Sequence, residues 1–473
     1  MNETRPISWQ SEDIIQATGG EKLSGAGAIS FNGISIDSRS VSDKDLFVAI
    51  KGEHHDGHDF IPDVISKGVK GFLVSRKTIN ALPVDEWISK GIWIIAVSDT
   101  IAALGALAAF QRQRAGIPVV AITGSNGKTT TKELTAAVVG RKYNTLFTKG
   151  NLNNEIGLPL TLLKLSPAHQ AAVVEMGMNH PGEITRLSAI ARPDIGVITT
   201  IGPAHLEGLG TVEHVMAAKG EIRDHIKDDG WIVLNADNPY CLRVGESARQ
   251  KVMYFGVSER ADIRALNVEK SGCGSSFTMV LPDEHVRIEL GLPGRFMVNN
   301  ALAAGTVGYL MGISGQEIKA GIESVTPAKG RMAVVETKQG VMVMDDTYNA
   351  NPGSMEAAIR TLIFLKENNR GVLMAGDMLE LGEQSSLLHE QIGKLAADSG
   401  ISKLFLIGKE VGSLAQGALR AGMPSDDIVI GGKKEIAEKL GQYLQPGDWV
   451  LVKGSRSMGM EEIVAYLMNR ITD

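Results

Sequence analysis

The strongest local signal in the chain is an apolar run followed directly by a glycine-containing polar loop. Residues 119–123 read VVAIT, and residues 123–133 read TGSNGKTTTKE ahead of a helix-compatible run. Glycines let backbone N–H groups turn toward a polyphosphate, and a helix N-terminus adds a favourable dipole. Lys128 would neutralise phosphate charge, and Thr129 would offer its hydroxyl to Mg²⁺. The segment predicts a phosphate loop at residues 124–130, made of Gly124, Ser125, Asn126, Gly127, Lys128, Thr129 and Thr130.

The spacing of this loop departs from the common GxxxxGK[ST] pattern. That pattern would require a glycine at Ile122, whereas Gly124 stands only three residues before Gly127. A glycine-rich strand–helix turn that binds no nucleotide is the alternative interpretation. The buried-strand signal before the loop and the Lys-Thr pair within it favour phosphate binding.

Length and composition limit the class of protein. At about 150 residues per domain, 473 residues predict three domains. A net charge of −6 without a long basic run argues against nucleic acid as a partner. The longest apolar stretch, residues 101–110, is half the length that spans a bilayer, so we expect no membrane insertion. Since there is no secretory signal, and Cys241 and Cys273 form no disulfide or metal framework, we expect a cytoplasmic protein.

Three blocks of alternating strand-like and helix-like segments predict an α/β protein. The first block, residues 1–116, ends in a helix before a hinge at a Gly-Ile-Pro sequence. The second, residues 117–326, has continuous apolar strands that favour a parallel sheet covered on both faces, with a small β annex at residues 252–292. The third, residues 327–473, predicts a doubly wound, Rossmann-like unit.

Two polar residues follow apolar strands of the second block. Glu175 ends AAVVE, and His205 comes shortly after VITTI. Ligands of an open parallel sheet bind outside the carboxyl ends of its strands, so both side chains are expected near the phosphate loop, where they would hold a metal. A helix-capping glutamate and a surface histidine are the alternatives. Lys219 lies on a predicted helix, and a lysine at such a position, judged from its spacing in the sequence alone, is usually a solvated surface charge.

Other polar segments leave their alternatives open. The loop NLNNEIG, residues 151–157, is either a cluster of Asx turns or a surface that reads substrate. Arg331 and Asp346 lie near the start of the third block, where they would reach nucleotide or form an ordinary interdomain ion pair.

Taken in order, several motifs resemble the Mur ligase family over nearly the whole chain: TGSNGKTT, VVEMGMN, GPAHLEG with AAKGEI, NNALAA, GRM and DDTYNANP. The first block, with IDSRSV and DLFVAIKGEHHDGHDF, is similar to a UDP-binding N-terminal domain of that family. The resemblance implies an N-terminal α/β substrate domain, a central P-loop ATPase domain and a Rossmann-like C-terminal domain. It implies an ADP-forming peptide ligase that uses ATP and two Mg²⁺ ions and acts on UDP-N-acetylmuramoyl-tripeptide and D-alanyl-D-alanine. We also expect a monomer.

The resemblance also implies roles for single residues. Lys128 and Thr129 would hold ATP phosphates and Mg²⁺, and Glu175 and His205 would bind the two Mg²⁺ ions. Lys219 would react with CO₂ to give a carbamate that bridges the metals. The remaining roles are an adenine contact at Asn300, nucleotide contacts at Arg331 and Asp346, uridine-diphosphate contacts at Asp37, Ser38 and Arg39, and muramoyl-peptide contacts at Asn153 and Asn154.

One segment departs from the family pattern. The family often has GxHNxxNALAA, whereas residues 294–304 read GRFMVNNALAA, with Phe296 and Met297 in place of His and Asn. Adenine binding would then depend on Asn300 and on packing. The competing functions are another Mur-type step that adds the third residue, a folylpolyglutamate-type ligase, and a non-catalytic nucleotide switch. The sequence leaves open whether the tripeptide ends in lysine or diaminopimelate.

Overall fold

Three large β-sheets follow one another along the chain in the computed structural model, which describes residues 7–24 and 27–469. They use residues 21–97, 119–290 and 333–453, so each lies within one predicted block. The predicted α/β class is confirmed, while the boundaries at 116/117 and 326/327 stay predictions. No helix in the described ranges has both the length and the apolar character needed to cross a membrane.

The first sheet has five strands and is mostly parallel. Its order is β2-β7-β6-β5-β4, and only β2 runs antiparallel to its neighbour. Its last helix ends at Ala115, just before the Gly-Ile-Pro sequence as predicted, and Gly116, with φ 62°, forms a left-handed C-cap. The elements are β1 (Trp9–Gln10), α1 (Ser11–Thr18), β2 (Glu21–Ser24), β3 (Ser30–Phe31), β4 (Gly33–Ser35), β5 (Asp45–Val48), α2 (Ile61–Ser66), β6 (Gly71–Ser75), α3 (Val84–Ser89), β7 (Trp93–Val97) and α4 (Thr100–Ala115).

The central sheet has nine strands in the order β16-β15-β14-β13-β12-β11-β8-β10-β9. The elements are β8 (Val119–Thr123), α5 (Lys128–Val139), β9 (Thr145–Phe147), α6 (Gly157–Leu162), β10 (Ala171–Glu175), α7 (Glu183–Ala191), β11 (Ile195–Ile198), α8 (Leu206–Leu209), α9 (Val212–Gly220), β12 (Trp231–Asn235), α10 (Pro239–Glu246), β13 (Lys251–Gly256), β14 (Ile263–Ser271), β15 (Gly274–Val280), β16 (His285–Leu290), α11 (Met297–Leu310) and α12 (Gly315–Glu323).

The order of this sheet explains where the site forms. Every residue of β8, β10 and β11 is buried, as expected for parallel strands covered on both faces. Strand β8 lies between β10 and β11. The next strands in sequence, β9 and β10, lie on one side of β8, and β11 and β12 lie on the other side. A switch point of this kind opens a crevice at the carboxyl ends of the strands.

The predicted β annex at residues 252–292 is wrong. Strand β13 pairs parallel with β12, β14 pairs parallel with β13, and β15 and β16 add antiparallel strands to the same sheet. The pattern changes there because an antiparallel edge with one exposed face has alternating polarity: β16 alternates exposed and buried residues along its length.

The third sheet is doubly wound, as predicted. Its order is β17-β18-β22-β19-β20-β21, with only β17 antiparallel. Val372 and Met374 of β19 face one apolar cluster, and Leu373 and Ala375 face another, so both faces of the sheet are covered. The elements are β17 (Ala333–Glu336), β18 (Met342–Asp346), α13 (Pro352–Lys366), β19 (Gly371–Gly376), α14 (Ser385–Asp398), β20 (Lys403–Ile407), α15 (Val411–Arg420), β21 (Ile428–Ile430), α16 (Lys433–Tyr443), β22 (Trp449–Lys453) and α17 (Glu461–Asn469).

Candidate active site

The phosphate loop lies between β8 and α5, and two of its positions require glycine. Gly124 and Gly127 have φ of 150° and 81°. A Cβ at Gly124 would lie 1.9 Å from Oγ1 of Thr199, and one at Gly127 would lie 2.5 Å from Oδ1 of Asn300. The N–H of Ser125 donates to the carbonyl of Thr200 at 2.8 Å, which ties the loop to the end of β11. The loop is therefore closely packed and opens at the N-terminus of α5.

Lys128 is the first residue of α5, and its side chain folds back over the loop. Its Nζ donates to the carbonyl oxygen of Gly124 at 2.7 Å. Burial lowers the pKa of Lys128, Glu175 opposes that shift, and the charge of Arg331 adds to it. The ammonium is thus held where a polyphosphate at the loop would meet it.

Glu175 ends β10 and meets the phosphate loop at the first turn of α5, through a threonine side chain rather than a backbone N–H. Its Oε2 accepts from Oγ1 of Thr129 at 2.8 Å, and its Oε1 accepts from Nδ2 of Asn153 at 2.7 Å. The side chain is 2% exposed. The structure therefore brings together three residues that the sequence places in separate motifs, and the helix-capping alternative for Glu175 is wrong.

Lys219 lies near the end of α9 and is fully buried, so the interpretation of its spacing as a solvated charge is wrong. Its Nζ makes no hydrogen bond with any part of the chain that the structure describes. Burial, with the charge of Lys128 in second place, lowers the pKa of Lys219 well below its ordinary value. A buried amine without a partner is costly unless it is neutral or another group compensates it.

His205 precedes the short helix α8 and adopts φ 55°, which is uncommon for a residue other than glycine. Its Nδ1 donates to Oε2 of Glu380, a residue of the third domain, at 2.7 Å. Burial lowers the pKa of His205; the bond to Glu380 opposes this, and Lys128 and Lys219 reinforce it. The ring is 19% exposed, so His205 lies between the buried site and the freely exposed surface position of the alternative interpretation.

These residues suit a divalent cation only in part. Thr129, Glu175 and His205 supply oxygen and nitrogen donors, and Mg²⁺ prefers carboxylates and other oxygens. Within residues 7–24 and 27–469, no group of three or more His, Cys, Asp and Glu side chains has the arrangement of a metal site. The buried amine of Lys219 is the remaining polar group, and it fits a metal centre if it gains negative charge.

The third domain contributes Arg331 and Asp346, but these two residues do not pair with each other. The guanidinium of Arg331 lies 3.8 Å from the ring centroid of Tyr348. Oδ2 of Asp346 accepts from Nζ of Lys453 at 2.5 Å, and its Oδ1 accepts from the N–H of Met332 at 3.2 Å. The alternative of an Arg331–Asp346 ion pair is therefore wrong, and Asp346 anchors the end of β18.

Asn300 lies beneath the phosphate loop, next to the segment that departs from the family pattern. It is buried, and its Nδ2 donates to Sδ of Met297 at 3.4 Å. Phe296 lines a cavity of about 430 Å³ between β14–β15 and α13. Gly353, also in its wall, lies beside Asn126 of the phosphate loop, so the cavity adjoins the phosphate site.

Of the two predicted groups of substrate contacts, one lies in the first domain and the other lies next to Glu175. Asp37, after β4 in the first domain, accepts from Nε and Nη2 of Arg39, both at 2.9 Å, and this pairing lowers the pKa of Asp37 to about 2. The carbonyl of Ser38 accepts from Nζ of Lys67 at 2.7 Å. Asn154 accepts from the N–H of Gly157 at 2.9 Å, which leaves it a loop-stabilising role, while only its neighbour Asn153 reaches Glu175.

The sequence reasoning missed two residues of the third domain. Glu380 contacts His205, and Asn351 donates from Nδ2 to Oδ1 of Asn126 at 2.8 Å. Both are polar residues that follow the carboxyl end of a strand, which is the signal that identified Glu175. Their partners are 175 and 225 residues away in sequence, and no local pattern specifies such pairs.

Family models match three consecutive segments of the chain. "Mur ligase family, catalytic domain" matches residues 30–112, "Mur ligase middle domain" matches residues 122–308, and "Mur ligase, glutamate ligase domain" matches residues 330–456. The matches cover more than half of the chain and fall on the three sheets in order.

Curated relatives and solved structures agree with these matches. The chain is 38% identical over 467 residues to the UDP-N-acetylmuramoyl-tripeptide–D-alanyl-D-alanine ligase of Escherichia coli (strain K12), covering 98% of each. A crystal structure of MurF from Acinetobacter baumannii superposes with a TM-score of 0.90 at 32% identity, over 98% of this chain and 100% of that one. The MurF ligase of Thermotoga maritima, solved in complex with ADP, superposes with a TM-score of 0.81 at 30% identity, over 92% and 97% of the two chains.

Proposed function

This chain belongs to the Mur ligase family, and from that membership we propose that it joins D-alanyl-D-alanine to UDP-N-acetylmuramoyl-tripeptide in peptidoglycan precursor synthesis. It is an ATP-dependent ligase of the ADP-forming type. The proposal rests on the contact between Glu175 and Thr129 of the phosphate loop, and on the buried Lys219, whose charge acts on His205 together with that of Lys128.

Amide formation requires an activated acyl group, because a carboxylate is a poor electrophile. The terminal carboxylate of the tripeptide attacks the γ-phosphate of ATP, which gives an acyl phosphate and ADP. The amino group of D-alanyl-D-alanine then attacks the carbonyl carbon, the C–O bond to phosphate breaks, and the amine loses its proton. The protein contributes charge neutralisation and positioning.

Each charged group at the sheet edge has a part in this scheme. Lys128 neutralises phosphate charge, and its position over the loop supports that role. Thr129, Glu175 and His205 would hold Mg²⁺. Two Mg²⁺ ions, when bound, would reduce the repulsion between the attacking carboxylate and the γ-phosphate.

Lys219 is proposed to carry a carbamate. Its neutral amine would attack CO₂ and lose a proton, so that a +1 side chain becomes a −1 side chain with two oxygens for Mg²⁺. This reaction needs the unprotonated amine, and burial lowers the pKa of Lys219 in the required direction. Nζ of Lys219 is buried without a hydrogen-bond partner, which is unfavourable for an ammonium group. A carbamate at this position would instead have Mg²⁺ to bind, so the missing partner also supports the carbamate.

The nucleotide and the substrates are assigned to the surrounding surfaces. We place adenine in the cavity lined by Phe296, near Asn300, and the ribose and phosphates near Arg331 and Asp346. Apolar packing against Phe296 would replace the histidine and asparagine of the common family pattern. The uridine diphosphate would bind at residues 37–39, and the muramoyl peptide at the loop that holds Asn153 and Asn154. As part of the proposal, the enzyme works as a cytoplasmic monomer.

Phosphate release from ATP tests the function. With UDP-N-acetylmuramoyl-tripeptide present, release should depend on D-alanyl-D-alanine, and the UDP-linked pentapeptide should appear in equal amount. Parallel assays with tripeptides ending in lysine and in diaminopimelate would determine the third residue.

The same assay separates the alternatives. Release that depends on a glutamate acceptor and a folate substrate would indicate a folylpolyglutamate-type ligase, and release with a UDP-linked dipeptide and a single amino acid would indicate an earlier Mur step. A nucleotide switch would show no dependence on an acceptor.

A further inference from the structure

A contact between two domains includes a predicted metal ligand. We call residues 205–210 the histidine segment and residues 380–384 of the third domain the docking segment. Nδ1 of His205 donates to Oε2 of Glu380 at 2.7 Å, and the N–H of Glu207 donates to the carbonyl of Glu380 at 3.0 Å. Nε2 of Gln384 donates to the carbonyl of Gly210 at 3.3 Å. Glu380 thus engages the histidine segment through both its side chain and its backbone.

The backbone at this contact is held in an uncommon conformation on both sides. His205 has φ 55° and Glu380 has φ 62°, in a region that residues other than glycine seldom adopt. Gly382, at φ 57°, approaches Glu207 so closely that a Cβ would lie 3.3 Å from its Cα. Strained non-glycine residues persist only where the surrounding structure specifies them, and they cluster at functional sites.

The docking segment is anchored within its own domain, so it presents Glu380 in a defined place. The N–H of Leu379 donates to Oγ of Ser455 at 2.8 Å, and the N–H of Met378 donates to Nε2 of His389 at 3.0 Å. The side chain of Leu381 is buried. A fixed turn therefore holds the backbone of Glu380 beside the histidine segment, and its carboxylate, on a side chain that is 52% exposed, reaches His205 from there.

The direction of the hydrogen bond determines the tautomer of His205. An ionised carboxylate only accepts, so Nδ1 must carry the proton. The other ring nitrogen, Nε2, makes no hydrogen bond within the described residues and keeps its lone pair. Histidines that bind metals usually donate their second N–H to a carboxylate or a carbonyl, which orients the ring and selects the tautomer.

We propose that Glu380 is a positioning residue, which reaches over from the third domain and holds His205 in the tautomer that offers Nε2 to Mg²⁺. This inference rests on the proposed function, because it takes His205 to be a metal ligand. It adds that the metal centre is complete only when the third domain is docked. Metal binding and domain docking must then favour each other to the same extent, since coupling between two equilibria is reciprocal.

The test follows the ring nitrogens of His205 by ¹⁵N NMR in protein labelled at histidine. The chain has 10 histidines, and loss of one resonance pair in His205→Gln identifies the pair of interest. Spectra of the metal-free protein at about pH 8, where an ordinary histidine is neutral, report the tautomer without any turnover. Adding Mg²⁺ in the presence of ADP then gives the midpoint at which the Nε2 resonance shifts.

Four proteins are compared: wild type, Glu380→Ala, Glu380→Gln, and Glu383→Gln as a matched exposed control in the same segment. We expect the proton on Nδ1 in wild type and in the Glu383→Gln control. Glu380→Gln should weaken this preference, because a side-chain amide can either accept from a protonated Nδ1 or donate to an unprotonated one. In Glu380→Ala the proton should no longer be confined to Nδ1, and the Mg²⁺ midpoint should rise about tenfold.

Specific results would overturn the inference. These are a wild-type ring with its proton on Nε2 or on both nitrogens, an unchanged tautomer in Glu380→Ala, or a Mg²⁺ midpoint in that variant within about twofold of wild type. If Glu380→Ala does not fold, the wild-type spectrum decides, and a proton on Nε2 there would overturn the inference. Failure of the proposed function is distinct: wild type would then show no phosphate release dependent on D-alanyl-D-alanine, whatever the tautomer.

Discussion

Asn351 contacts Asn126 across the boundary between the third domain and the phosphate loop. Nδ2 of Asn351 donates to Oδ1 of Asn126 at 2.8 Å, while Oδ1 of Asn351 accepts from the N–H of Ser354 at 2.9 Å. One amide thus caps helix α13 and holds the loop that is proposed to bind ATP. This contact links the start of α13 to the phosphate loop.

Two substitutions at Asn351 separate these roles. Asn351→Asp keeps an oxygen that caps α13 but removes the donor and faces Oδ1 of Asn126 with a carboxylate. We expect little change in melting temperature and a KM for ATP raised about threefold to tenfold, as for loss of one neutral hydrogen bond. Asn351→Ala should also destabilise the fold by about 1 kcal/mol through the lost cap. An unchanged KM in Asn351→Asp would contradict a role in nucleotide binding.

Gly127→Ala should abolish nucleotide use for a steric reason. The substitution places a Cβ 2.5 Å from Oδ1 of Asn300, at a position whose φ is 81°. Gly91→Ala is the matched control, because Gly91 has φ 70° and no atom within 4 Å of the new Cβ. Both variants should lose about 1 kcal/mol of stability from the left-handed backbone, measured by thermal unfolding. Only Gly127→Ala should lose ATP-dependent phosphate release; equal activities would show that the close contact is unimportant.

Lys128→Ala should nearly eliminate turnover while the fold persists. A preorganised charged donor aimed at the reacting group is worth about 10²–10³ in rate. The comparison is steady-state phosphate release by Lys128→Ala and by Lys164→Ala, which removes an exposed lysine. Activity above about a tenth of wild type in Lys128→Ala would exclude the assigned role.

Lys219→Ala should nearly abolish ligation, and an added short-chain carboxylate should restore part of it. The carboxylate would occupy the anionic position that the carbamate is proposed to fill. Lys219→Arg should be as inactive as Lys219→Ala, since a guanidinium stays charged and cannot form the carbamate. The measurement is the rate of pentapeptide formation with and without the carboxylate. Normal activity in Lys219→Arg would rule the carbamate out.

A stability prediction concerns Asp194, which joins α4 to the central sheet. Its Oδ2 accepts from Nη2 of Arg112 at 3.1 Å and from the N–H of Val119 at 2.8 Å. Asp194→Ala leaves the buried guanidinium without its counter-charge, so we expect the free energy of unfolding to fall by about 3 kcal/mol or more. Calorimetry of the unfolding transition of the central domain measures this fall in the free energy of unfolding. Lys439→Ala, which breaks an exposed pair with Glu435, should change it by less than about 0.5 kcal/mol.

Much of the fold was predictable because its signals are local. Strand β8 matches the predicted run VVAIT residue for residue, and α4 ends just before Gly116, as predicted. A continuous apolar run predicts a buried strand and a glycine predicts a turn, and each signal lies within a few residues of sequence. The β annex was predicted wrongly because a change of pattern does not say whether a strand joins the neighbouring sheet or starts a new one.

Local sequence was enough to place residues 124–130 between a strand and a helix, to predict the α/β class, and to put Glu175 at the end of a strand. The burial of Lys219 without a partner depends on the packed fold, because burial is set by the elements that cover a helix and not by the spacing along it. The bond between His205 and Glu380 depends on the packed fold in the same way. Those residues are 175 positions apart, and only the docking of two separately built domains brings an acceptor to that ring.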